Sequence, residues 1–236
     1  MNTSRRRFLL GASTAAAGLS AAAAAWAEDA PSPEKTPEAE DGVAAAEDLM
    51  REHGVLDRLL LIYEEVIRRI STEKEVPITL LHKAADLIRR FVEDYHEKLE
   101  EKHVFPVCEK RAELAALTKV LREQHQAGRR LTDAILRLTS TRPILPQTLD
   151  DLQKTCRVFI RMYRPHAARE DTVVFPALHE LLAAHDLEEL GESFEDEEER
   201  RFGRNGFQQV VAQVAAWEKQ LGIYELAQFT PAQLRS

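Results

Sequence analysis

The sequence predicts an all-α protein: an up-down four-helix bundle, hemmed at its C-terminal end by an additional helical extension. Two observations carry this reading. From about Val43 onward, apolar residues recur at three- and four-residue spacing with little period-2 alternation. Short breaks then cut the pattern into four stretches of roughly 25 to 30 residues, a length suited to bundle helices whose apolar stripes must bury one another.

Residues 1–27 stand apart from the fold. Ser4 to Leu10 (SRRRFLL) precedes an Ala-rich apolar run, and Ala25-Trp26-Ala27 offers small residues for cleavage ahead of Glu28. Paired arginines before Phe-Leu match a twin-arginine export signal, so the mature chain is expected in the periplasm or exported beyond it; an ordinary secretory signal or an uncleaved anchor is the plainer alternative. Residues 28–43, rich in Pro and acid, read as a flexible linker. The formal charge of −8 becomes more negative without the leader, which holds Arg5, Arg6 and Arg7 and no acid. Such a chain is a poor nucleic-acid binder. No later segment approaches the roughly 20 apolar residues of a membrane span.

The bundle is expected over 44–185. The first stripe (Leu49, His53, Leu56, Leu60, Tyr63, Ile67) runs from about Ala44 to Ile70. Pro77 opens the second, through Leu81, Ile88, Val92, Tyr95 and Leu99, and Pro106 is expected to close it. The third, from about Ala112 to Thr139, carries Leu121, His125, Gly128 and Leu131; after TRPILP the fourth runs from about Gln147 to Val174 through Cys156, Phe159, Tyr163, His166 and Glu170. Residues 186–236 hold the acidic run Gly191 to Arg200 and a last helix expected over Phe207 to Leu221, for which the sequence suggests no function.

A repeat lies across this frame. HEKLEEKHVFP (His96 to Pro106) and HAAREDTVVFP (His166 to Pro176) share His, Glu four residues on, a further acid, then Phe-Pro. Each follows a second His, His53 in REH by 43 residues and His125 in REQH by 41, so the repeated unit is a helix pair. In a helix, residues four apart share a face, and His96 with Glu100, like His166 with Glu170, presents imidazole and carboxylate to one point. Taken singly, each His is more often a hydrogen-bonded core residue, and each His/Glu pair a surface ion pair. Together, four imidazoles and two carboxylates at one core level would be costly to bury. A metal pair removes that cost, and bridging Glu with capping His suits non-haem di-iron.

These residues resemble the hemerythrin-like family, the HHE cation-binding domain, whose four-helix bundle holds a di-iron centre. The resemblance implies ligands at His53, His96, Glu100, His125, His166 and Glu170, with Glu100 and Glu170 bridging, and Glu97 matching a further carboxylate ligand of some members. Oxygen-carrying members have HxxxH on the third helix and HxxxxD on the fourth; here HQAGR puts Arg129 at the second position, and His166 has Glu170 at four with Asp171 at five. The carboxylate-rich set favours ferric iron and oxidation over reversible O2 release. Arg129 either pairs with Glu97 or Glu100 beside the site or faces solvent. His103, one heptad after His96, is a late ligand or proton donor, or a surface His.

His82 lies about 21 Å along the axis from His96 at 1.5 Å per residue, and His179 and His185 fall beyond the ligand level. By the same rise Cys108 and Cys156 are about 33 Å apart, which precludes a disulfide; Cys156 reads as core and Cys108 as a free thiol near a bundle end. The expected function is a non-haem di-iron protein with two carboxylate-bridged iron ions that binds, senses or reacts with O2, peroxide or NO, or handles iron, with turnover left open. The alternatives are a reversible O2 carrier or store and a metal-free helical interaction module.

Overall fold

A computed structural model describes residues 45–231. The expected signal peptide and the whole of the expected linker lie outside the described residues. Those described form an all-α bundle with no strand among them. Helix α1 spans Ala45–Ser71. Helix α2 runs over 78–108, its α-helical turns (Ile78–Leu87, Glu97–Leu99, Phe105–Cys108) interrupted by π-helical ones at Ile88–His96 and Glu100–Val104. Helix α3 is Ala112–Ser140. Helix α4 covers 146–181, α-helical over Pro146–Arg169 and Phe175–Leu181 with a π turn at Glu170–Val174 between.

Pro106 and Pro176 therefore do not end their helices, contrary to the sequence reading. Proline normally clashes with the carbonyl four residues back and leaves it without a donor. Both prolines follow a π turn that opens at the Glu four residues after the His of its own repeat, and the wider turn carries that carbonyl clear. The helices continue to Cys108 and Leu181, and both cysteines are buried and unbridged. Cys108 is a free thiol, as expected, and a buried one, packed against the Val174 carbonyl.

The acidic run forms part of a helix of its own, α5 (Ala184–Phe202), followed by α6 (Gly206–Leu221). Both lie against the bundle. Phe202 packs on the rings of Phe91 and Tyr95, 5.4 and 5.3 Å between centroids, and Arg58 makes a two-pronged bond to buried Glu218 at 3.0 and 2.6 Å. The apolar stripes of α1 to α4 meet around Tyr63, Phe91 and Phe159, all fully buried. One level of that interior is polar.

Candidate metal centre

At this level each of α1 to α4 delivers one imidazole. The α1 and α2 histidines meet, His53 Nε2 to His96 Nε2 at 3.0 Å, and the α3 and α4 histidines do the same, His125 Nε2 to His166 Nε2 at 3.2 Å. Glu100 spans the two pairs, Oε1 at 3.5 Å from His96 Nε2 and Oε2 at 3.4 Å from His125 Nε2. Glu170 spans them from the other side, Oε2 at 3.1 Å from His166 and 3.4 Å from His53, and Oε1 at 4.0 Å from His125. The six residues predicted from spacing converge, as two groups of three: His53, His96 and Glu100; His125, His166 and Glu170.

The other ring nitrogens explain the orientation. Nδ1–H of His53 donates to Asp171 at 2.7 Å, of His96 to Glu52 at 2.7 Å, of His125 to Glu101 at 3.1 Å, and of His166 to the Gln124 amide oxygen at 2.9 Å. A proton fixed on Nδ1 leaves the Nε2 lone pair free as a ligand. Four lone pairs then face inward, beside two carboxylates whose four oxygens are buried without a hydrogen-bond donor. Buried acceptors left in this way are destabilising unless something positive sits among them. The residues fit a pair of cations.

Electrostatics agree. Burial and the neighbouring Glu170 charge hold the Glu100 carboxyl well above its ordinary range. Burial presses Glu170 the same way, but His166 and His53 outweigh it and keep Glu170 ionised. Burial also disfavours charge on His53, yet Asp171 and Glu170 raise it to about 9, whereas burial and the His53 charge push His96 well down. Without a cation, a proton on His53 bridges the close nitrogen pair. A metal ion must displace it.

Aromatic rings close the cage. Phe175 stacks on His53 and Phe105 on His125, each at 5.5 Å between centroids. This accounts for the Phe of both Phe-Pro motifs: each ring covers the histidine of the other half. Sequence reasoning missed these rings, together with Glu52, Gln124 and Tyr163, although the acid after each Glu was visible as part of the repeat.

Glu97 stands beside the cage with both oxygens engaged, Oε1 by the Tyr163 hydroxyl at 2.6 Å and Oε2 by Arg129 at 2.7 Å. Arg129 also bonds Glu101 at 2.8 Å, which settles its two readings in favour of the inward one. Its carboxylate partners are Glu97 and Glu101, not Glu100, and it also donates to the Glu93 carbonyl at 3.4 Å. Asp171 orients His53. His103 lies half-buried near Phe194, and His82 bonds Thr139 at 2.8 Å away from the cage. His179 and His185 are exposed.

A four-helix bundle that aims imidazoles and unpaired carboxylates at one buried level belongs to the cation-binding bundles. The hemerythrin HHE cation-binding domain matches residues 44–178, and the chain belongs to that family. Proteins of Mycobacterium tuberculosis and Mycobacterium bovis, each described as uncharacterized, are 51% identical over 233 residues, covering 96% of this chain and 91% of theirs. No solved structure matches the chain. No helix among the described residues is long and apolar enough to cross a membrane.

Proposed function

We propose that the cage holds two iron ions and that the protein binds, senses or reacts with O2, peroxide or NO in the cell envelope. The observation that carries this is the set of four buried, donor-free oxygens on Glu100 and Glu170 lying between two imidazole pairs. When bound, iron supplies redox capacity and open positions at which a diatomic or peroxide is polarised. His53 and His96 would hold one ion and His125 and His166 the other, with Glu100 and Glu170 each within reach of both imidazole pairs.

The chain's own groups do the rest. Phe105 and Phe175 keep water from the ligand nitrogens. Beside His53, a cavity of about 350 Å³ lined by Met50, Gly54, Leu56, Tyr163 and Ala167 gives a small molecule an approach. Arg129, at the position where oxygen carriers have another His, is committed to Glu97 and Glu101, which favours irreversible chemistry over carriage. Export through Arg5 and Arg6 places the protein in the periplasm, a route suited to a chain that takes up metal before leaving the cytoplasm.

Metal analysis with optical spectra taken before and after air admission tests the cage: about two irons per chain and a charge-transfer band are expected, both lost in His96→Ala/Glu100→Ala. A protein purified without iron, or a spectrum untouched by those substitutions, sinks the reading. Persistence of a reversible oxygenated spectrum over many cycles supports the carrier instead. Fractionation of cells making Arg5→Lys/Arg6→Lys tests export, with retention in the cytoplasm expected.

A further inference from the structure

Outside the cage, between α1 and α5, Asp48, Glu52 and Glu198 bring carboxylate oxygens within 4.8 Å of one another. Asp48 and Glu52 are buried, 7% and 2% exposed, and Glu198 is half-buried. Among the described residues Arg51, 3.2 Å from Asp48, is the one Lys or Arg paired with the three acids, so three carboxyl groups face one fixed positive charge. Crowding shows in Asp48, whose carboxyl is pushed up to about 7 by burial and by Glu52.

Two features separate this cluster from a solvated acidic patch. Glu52 uses Oε2 to accept from His96, while its Oε1 and the Tyr95 hydroxyl are both buried without a hydrogen bond of ordinary length. Glu198 is held in place, since its Oε1 accepts from the Phe207 N–H at 2.8 Å at the start of α6. Asp48 and Glu198, but not Glu52, border a cavity of about 280 Å³, lined also by Arg51, Glu195 and Phe207, that opens to solvent. Glu198 and Phe207 lie beyond residues 44–178, so the family domain alone does not build this cluster.

We propose that Asp48, Glu52 and Glu198 form a third cation site, a staging point for a hard divalent metal on its way from the open cavity to the cage. Carboxylate oxygens alone suit Mn2+, Fe2+ or Mg2+ rather than a soft ion. Glu52 is the shared element, since it belongs to this cluster and also accepts from the imidazole of His96. The staging role rests on the di-metal reading of the cage; the site itself does not.

Anaerobic equilibrium dialysis of metal-free full-length protein against Mn2+, with electron paramagnetic resonance of the bound metal, tests it. Wild type is expected to hold three Mn2+ per chain, two spin-coupled and one isolated. Glu198→Gln and, independently, Asp48→Asn should lose the isolated ion, keep the coupled pair, and fill the cage several-fold more slowly. Unchanged stoichiometry in both variants overturns the site, and an unchanged filling rate overturns the staging role. An isolated ion that responds to these substitutions in a wild type without a coupled pair upholds the site and defeats the cage reading.

Discussion

The two halves of the cage share a skeleton and differ in what surrounds it. On the second side, Glu97 of α2 is locked between Arg129 and Tyr163, and the space beside the ligands is filled with charge. At the equivalent place on the first side the residue after His166 is Ala167, and a cavity opens there past Gly54. The acceptors differ as well, since Glu52 and Asp171 place carboxylates on His96 and His53, whereas His166 receives the neutral amide of Gln124. Equivalent ligands with unequal support imply unequal metals: one position fixed and enclosed, the other more electron-rich and approachable.

Removing a bridging carboxylate attacks both halves together. Glu170→Ala should lower bound metal from about two ions to one or none, read by metal analysis after desalting. Asp171→Asn acts on one half only, and a loss of about 10- to 100-fold in affinity at the His53 position is expected from a displaced imidazole partner. Gln124→Glu should shift the other position in the opposite direction, by less, when both are titrated with Co2+ and followed optically.

The glycines sharpen the contrast in stability. A Cβ on Gly128 would fall 1.9 Å from the Tyr163 hydroxyl, so Gly128→Ala should destabilise by about 1–3 kcal/mol and break the Tyr163–Glu97 bond. Gly54 has nothing within 4 Å of such an atom, and Gly54→Ala should stabilise by about 0.5–1 kcal/mol through helix propensity. Thermal melts of the two variants check both signs. The pH dependence is expected to be a gradual change. His53 is raised to about 9 and Glu52 to about 8, so the folded metal-free chain binds more protons than the unfolded one, and its stability should fall between pH 7 and 9. Metal entering the cage must displace the His53 proton, so affinity should rise over that interval. A metal-free melting temperature that climbs from pH 7 to 9 contradicts the assignment.

The six candidate ligands were legible because helical spacing leaves few ways to place His53, His96, Glu100, His125, His166 and Glu170 at one level. Glu97 was visible only through family likeness, and whether Arg129 turned inward depended on packing that a sequence does not display. The prolines misled for a definite reason: a helix-stopping residue is tolerated after a widened turn, and no simple sequence signal marks the π turns that widen it. Glu52 and Gln124 each immediately precede a histidine of the first or third helix. Their adjacency was plain in REH and REQH, but adjacent helical positions point about 100° apart, so neither looked able to serve the same site. Each serves the histidine of the neighbouring helix instead.

The crossed placement of the Phe rings has a consequence for assembly. His53 depends on Asp171 and Phe175, and His125 on Glu101 and Phe105, so each helical hairpin carries parts that belong to the other. Neither hairpin can preorganise its own ion. A cation held in the cage therefore acts as a clasp between the two duplicated hairpins, and its retention reports that they have docked in the right register.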